Sequence, residues 1–212
     1  MADNYLDRKM EEYRMRPTAS ARKPQATVER LLLKNRSHRN YDSSFIVRED
    51  QLRRIIEVNT RVGSAMNRQV LRFRPVLSDE APALLPHIRL GGALPELQLP
   101  APGREPNAFI VVCSTIEEDR YVAIDAGISV QSMPLRAVEM GLNGICIAAF
   151  DKERIRELLS LEAEPLLLLA IGRGADRIEL VEIGAEESHA YYRRDDTHYV
   201  PKIRVDNLIL GR

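Results

Sequence analysis

Two stretches of this chain carry side chains whose types and spacing suit the binding of a small polar ligand. In Asn35-Arg36-Ser37-His38-Arg39-Asn40-Tyr41, two arginines flank a serine at the end of a helical run. Such a group can form charge-assisted hydrogen bonds to a phosphate; arginines at a helix C-terminus also simply complement its dipole. The second stretch, Gly63-Ser64-Ala65-Met66-Asn67-Arg68-Gln69-Val70-Leu71-Arg72-Phe73, sets the carboxamides of Asn67 and Gln69 on a connection between a helix and a strand. A carboxamide offers both donor and acceptor and so can pair with the mixed edge of a heterocycle. A lone Asn-x-Gln also suits a turn cap beside a solvated glutamine. Near the C-terminus, Lys202 and Arg204 alternate about Ile203, and an extended backbone there would direct both cations to one face.

No side chain stands out as a nucleophile. Ser37 has no G-x-S-x-G elbow around it. His38 belongs to the basic stretch, and His87, His189 and His198 read as structural or solvated loop residues. Cys113 and Cys146 form neither a C-x-x-C nor a zinc pattern and lie in apolar runs, so two buried, reduced thiols and no metal are expected.

The elements that must position these groups follow from periodicity. Helices are expected at Asn4–Arg14, where Tyr5, Leu6, Met10 and Tyr13 form a thin stripe, at Ala26–Lys34, and at Arg48–Val62. Phe73–Leu77 alternates like a strand, and Ala108–Ser114, Ile145–Phe150 and Pro165–Gly172 are continuous apolar runs of the kind buried on both faces. Ile178–Ile183 suits a further strand. A central helix, Tyr121–Gly141, has Asp125 as its sole charge up to Leu135, which predicts burial around most of its circumference. Pro134 inside it predicts a kink or break. Asp151 should cap a helix over Lys152–Leu159. Between Ser78 and Asn107 six prolines and Gly91-Gly92 surround one short helix, Ala83–Leu90, in the manner of a lid or binding loop. Val205, Leu208, Ile209 and Leu210 make an apolar end expected to dock on a core, its own or a partner's. The chain thus divides into an arm and linker (1–25), a main domain (26–200) and a basic segment with a docking tail (201–212).

At 212 residues this suits one domain with a substantial core. Lysine plus arginine equals aspartate plus glutamate, 31 each, so no global field points to nucleic acid or an acidic membrane. The N-terminus has no apolar signal core, and no run approaches a membrane span. A cytoplasmic protein is expected.

In this order the segments resemble the nitroreductase family of flavoproteins. Arg36-Ser37-His38-Arg39 with Tyr41 is similar to that family's Arg-Arg-Ser-x-Arg-x-Phe signature, and Ser64 to Gln69 with Phe73 to its Pro-Ser-x-x-Asn-x-Gln-Pro-Trp-x-Phe. Asp125 to Gln131 with Gly141-Leu142-Asn143-Gly144 resembles the central helix and turn, Phe150 closes the flavin-side strand, and Val200-Pro201-Lys202-Ile203-Arg204 matches a basic C-terminal segment. Asn35 stands where the first arginine is usual, Val70-Leu71 where Pro-Trp is, and Ala148-Ala149 where a glycine-rich pair is.

The resemblance implies an α+β nitroreductase-like fold, a mixed, mainly antiparallel sheet surrounded by helices, in an intertwined homodimer with the flavin at its interface. It implies that Arg36, Ser37, Arg39, Lys202 and Arg204 hold the phosphate and ribityl chain of FMN. Asn67 and Gln69 would face the pyrimidine edge, and backbone amides at Ala148 and Ala149 would approach N5 and O4. A phosphate dianion needs several cations, and the cluster offers four. Arg39 is the candidate to stabilise charge near N1 and O2 on reduction. The implied activity is ping-pong hydride transfer from NAD(P)H through N5 to a nitroaromatic, quinone, enone or flavin. No G-x-G-x-x-G unit is present, so the nicotinamide would be a visiting substrate. A flavin carrier or sensor without turnover would use the same contacts. A dimer that has lost its flavin is disfavoured by the retained Arg36, Asn67, Lys202 and Arg204.

Overall fold

The structure, a computed structural model, describes residues 26–90, 92 and 97–211. The expected helix at Asn4–Arg14, the linker after it and the centre of the proline-rich insertion lie outside those residues.

The apolar run Ala108–Ser114 forms β2, and all seven of its residues are buried. It pairs antiparallel with β1 (Leu71–Val76) on one side and β4 (Glu164–Gly172) on the other, and β4 pairs antiparallel with β3 (Asn143–Ile147). Alternation along β2 sends Phe109, Val111 and Cys113 to one core and Ile110 and Val112 to another. On β4, Leu168 and Ala170 join the first, Leu169 and Ile171 the second. Two helical layers are therefore required. Leu52 and Ile55 of α2 (Glu49–Ile56) and Met133 and Ala137 of α4 (Arg120–Glu139) close the second core. Leu84 of α3 (Ala81–Leu84) and Ile155 of α5 (Lys152–Leu158) close the first. A smaller sheet has β7 (Thr197–Ile203) at its centre, parallel to β5 (Arg177–Ile183) and antiparallel to β6 (Tyr192–Arg194).

Several local expectations hold for the reasons given. Asp151 caps α5, its Oδ1 accepting from the Arg154 N–H at 3.0 Å. The run from Arg48 is an α-helix only to Ile56 and continues as a 3-10 turn over Glu57–Thr60. The proline-rich region holds α3 and a 3-10 turn, Leu85–His87, in place of one helix.

Other expectations are corrected. α4 runs unbroken through Pro134, which is itself buried. It is also one-sided: Val122, Asp125, Ala126, Ser129, Met133, Ala137 and Val138 are buried, whereas Tyr121, Ile124 and Ile128 are exposed. α1 (Val28–Lys34) buries none of its residues despite Val28, Leu32 and Leu33. The apolar end does not dock on its own chain: Val205 and Leu208, in α6 (Val205–Leu208), and Ile209 and Leu210 after it are all exposed. Cys146 is exposed while Cys113 is buried. β2 lies inside its sheet and β3 at an edge, so Cys113 is covered and Cys146 is not. Among the described residues no helix is long and apolar enough to cross a membrane.

Candidate functional site

The basic stretch is held rigidly at the end of the sheet. Ser37 bridges Gly144 at the start of β3, and Tyr41 bridges Gly174 just beyond β4. Gly144 admits no side chain, because a Cβ would come 2.6 Å from the Ala170 carbonyl oxygen. The Tyr41 hydroxyl donates to the His38 carbonyl at 2.9 Å, closing the turn.

Asp176, between β4 and β5, organises this turn. Its Oδ2 accepts from the backbone N–H groups of Arg39 and Asn40 at 2.6 and 3.0 Å. Its Oδ1 accepts from Asn40 Nδ2 at 2.7 Å and Arg193 Nη2 at 2.9 Å. Burial alone would push this carboxyl up; the hydrogen bonds from Asn40, Arg39 and Arg193 outweigh it and hold it below the usual aspartate value. Arg39 is itself buried, its Nε donating to the Leu90 carbonyl at 2.8 Å and its guanidinium 5.4 Å from the Tyr191 ring centre.

Against this turn lies a cavity of about 410 Å³, bordered by Arg36, Ser37, Arg39, Cys146, His198 and Lys202. Val130, Gln131 and Pro134 of α4 form another wall. Arg36 and Lys202, 166 positions apart in sequence, meet here because β7 runs alongside β5 past the end of the main sheet. Arg36 Nη2 donates to the Leu32 carbonyl at 2.5 Å, but its Nε is buried with no partner among the described residues. Burial lowers the guanidinium's proton affinity. His198 Nδ1 is likewise buried without a partner among the described residues. Two unsatisfied nitrogens beside Lys202 form a donor-rich lining short of acceptors, and a buried polar group without a partner is costly until something supplies one. A phosphate has the acceptors this lining lacks.

Arg204 does not border the cavity. It follows the last residue of β7, its backbone N–H donates to the Ile183 carbonyl at 3.0 Å, and its guanidinium lies by Gly184. Ala148 and Ala149 follow β3 and are exposed. The Ala149 carbonyl accepts from the Arg89 N–H at 2.9 Å, and Ala149 borders a different hollow with His87 and Phe150.

Asn67 and Gln69 occupy a 3-10 turn (Ala65–Asn67) and the residues after it. Met66, Asn67 and Gln69 all have left-handed backbones, with φ of 53°, 53° and 49°. Three non-glycine residues so placed within four positions concentrate strain, and the surroundings hold them there. The Asp125 Oδ1 accepts from the Ala65 N–H at 2.8 Å. Arg68 forms a two-pronged ion pair with Asp119, 3.0 and 3.1 Å, beside the Tyr121 ring. That pairing holds the Asp119 carboxyl down to about 2. Gln69 Nε2 donates to Asn67 Oδ1 at 2.9 Å, leaving the Asn67 side-chain amide donors and the Gln69 Oε1 without a protein partner among the described residues.

Gln69 borders a second cavity of about 610 Å³, together with Ser64, Phe73, Asp125 and Ser129. The two cavities share no bordering residue, and α4 contributes to both. Within one chain the cationic group and Gln69 therefore face different hollows, and Asn67 borders neither.

Sequence reasoning missed His198, Cys146 and Asp176. His198, Val200 and Lys202 all border the first cavity at two-residue spacing on β7; extending the Lys202 alternation upstream would have found the histidine. Asp176 carried no local signal, because its partners lie more than 130 positions away or beyond β5.

A family model described as the nitroreductase family matches residues 32–173. A provisionally named nitroreductase of Methanocaldococcus jannaschii is 39% identical over 54 residues, which is 26% of this chain and 27% of that one. The match thus spans about a quarter of that relative's length. Among solved structures, a nitroreductase family protein from Streptococcus pneumoniae superimposes with a TM-score of 0.62 at 18% identity, covering 88% of this chain and all of the other, 100%. A provisionally named nitroreductase of Exiguobacterium sibiricum, solved in complex with FMN, gives 0.59 at 19% identity, covering 73% and 91%.

Proposed function

Because the chain belongs to the nitroreductase family, we propose that it is an FMN-dependent oxidoreductase that passes hydride from NAD(P)H to a small electron-poor acceptor. The observation that carries this reading is the cationic cavity, bordered by Arg36, Arg39 and Lys202, where Arg36 Nε and His198 Nδ1 are buried without a partner among the described residues. Its donor set fits a flavin mononucleotide's phosphate. Bound FMN would supply the redox chemistry by accepting and returning hydride at N5.

The chain's own residues would bind and orient. Arg36, Ser37 and Lys202 would hold the phosphate, and Arg39, kept in place by Leu90 and Tyr191, would set a positive charge nearby. The free donors of Asn67 and the free acceptor of Gln69 match the acceptor–donor–acceptor edge of a pyrimidine ring. No side chain is required as a nucleophile.

The separation of the two cavities supports a homodimeric site, in which one protomer's carboxamides complete the partner's cationic cradle. The exposed Val28, Leu32 and Leu33 of α1, Tyr121, Ile124 and Ile128 of α4, and the apolar end support the same arrangement: apolar surface of this extent favours burial against another chain. On this reading Arg204 and the Ala148-Ala149 amides approach the cofactor only in the assembled dimer.

The test is reconstitution. FMN is added to purified protein, excess is removed, and the visible spectrum is recorded before and after anaerobic NADH or NADPH. A retained flavin band bleached by a nicotinamide is expected, with Lys202→Ala and Arg36→Ala each weakening FMN about 10- to 100-fold as charge-assisted bonds are lost. A retained band that neither nicotinamide bleaches would instead mark a carrier or sensor. No retained band would remove the cofactor from the reading.

A further inference from the structure

His198 is only 4% exposed, yet its Nδ1 has no partner among the described residues and it borders the cationic cavity. β7 fixes its direction: His198 lies opposite Ile178 of β5, and its ring meets Tyr191 at a centroid distance of 5.0 Å. The groups facing it are Arg39 from the basic turn, Asp176 from the β4–β5 connection, Arg193 from β6 and Tyr191 before β6. Arg36, Cys146 and Lys202 border the same space.

This environment is unusual for a merely structural histidine. A buried imidazole nitrogen normally finds an acceptor or donor within the fold. Here the nearest charges other than Asp176 are cations, and Asp176 is already saturated by four hydrogen bonds. An anion entering the cavity supplies the missing acceptor and relieves the crowding of positive charge at once.

We propose that His198 is a ligand-binding residue of this cavity, its Nδ1–H donating to the phosphate of bound FMN and making cofactor affinity depend on pH. The inference rests on the flavin reading above. In the ligand-free protein, burial first, and then Arg39 and Arg193, lower the His198 proton affinity, against a smaller opposing pull from Asp176. The ring is therefore neutral at neutral pH without ligand. A bound phosphate dianion favours the imidazolium, so binding takes up a proton. The histidine's contribution to affinity is greatest at acidic pH and declines as pH rises through the value of the complex. The phosphate's own second ionisation works the other way, so comparison with variants isolates the histidine.

The experiment titrates the full-length protein with FMN, following flavin fluorescence between pH 5.5 and 8.5, with calorimetry in two buffers of different ionisation enthalpy to count protons. His198→Phe removes the donor; His198→Asn places an amide N–H near the Nδ1 position but cannot be charged. We expect His198→Phe to weaken FMN about tenfold or more at pH 6, for loss of one hydrogen bond to a charged group. His198→Asn should restore most affinity at pH 8 while abolishing the proton uptake. Riboflavin, lacking the phosphate, should discriminate little between wild type and either variant. Thermal melting of the ligand-free variants checks that they fold. If wild type binds FMN and both folded variants match it in affinity and proton uptake, His198 is not a ligand-binding residue and the flavin reading stands. If wild type does not bind FMN, both fall together.

Discussion

The carboxylate of Asp125, buried in the middle of the central helix, accepts a hydrogen bond from the backbone N–H of Ala65 at 2.8 Å. Through it the helix grips the one turn whose backbone is most strained. The Asp125 Oδ2 is buried and has no partner among the described residues, so the hydrogen bond this carboxylate makes there is the one to Ala65. Asp125→Ala should lower unfolding stability by about 1–3 kcal/mol, for loss of a charged acceptor to a part-buried donor. Asp125→Asn, which keeps a carbonyl oxygen, should cost less. Urea denaturation compares the two, and FMN titration should show the alanine variant weakened though Asp125 is not assigned to the cofactor.

Met66 tests whether the strain is real. Its side chain is 75% exposed, so little packing is lost on truncation, while its φ of 53° suits glycine. Met66→Gly should be neutral or stabilising by up to about 1 kcal/mol, the left-handed penalty exceeding the extra unfolded-state entropy. A loss of more than that on denaturation would mean the turn carries no strain.

Asp176 should behave as a buried hub. Asp176→Ala strands Arg193 Nη2 and two backbone donors, and a cost of about 3–5 kcal/mol is expected. In the wild type its carboxyl is held below the ordinary value in the folded state. The folded protein therefore binds that proton less tightly than the unfolded chain. The contribution is in place above the unfolded value of about 4 and is lost as pH falls through the folded one. Melting temperature measured down the acid range should fall there in wild type and less steeply in Asp176→Asn.

The two thiols should differ. Burial, with a smaller contribution from the nearby Glu164 charge, pushes Cys113 up to about 11, whereas Cys146 is exposed at the cationic cavity though burial of its thiol also raises it. A disulfide reagent at neutral pH should therefore modify Cys146 alone in the native protein, slowly, and Cys113 only after unfolding. FMN should slow the reaction at Cys146 if it occupies that cavity. Cys146→Ser should leave no thiol reactive in the native state.

Much of the main sheet was legible because its signal is local. Uninterrupted apolar runs at Ala108–Ser114 and Pro165–Gly172 admit little else than strands buried on both faces, and those strands are found there. Asp151 announced its cap in the same way. The residues of the cationic cavity were partly legible: Arg36, Ser37, Arg39 and Lys202 border one space, as the resemblance implied, whereas Arg204 and the Ala148-Ala149 pair lie outside it in the single chain. Pro134 misled because propensity is a weak prior: the packing of Met133, Pro134 and Ala137 in the core outweighs one missing hydrogen bond.

By itself, then, the sequence determined the strands of the main sheet, the Asp151 cap and the presence of a basic and a carboxamide motif, all of which depend on neighbours within a few residues. Only the tertiary structure decided that Asp176 ties the basic turn to β6, that His198 and Lys202 meet Arg36 across one cavity, and that Gln69 borders another. Those relationships depend on the parallel pairing of β5 with β7 and on α4 bordering both hollows. Such long-range pairing leaves no periodicity for a local reading to find.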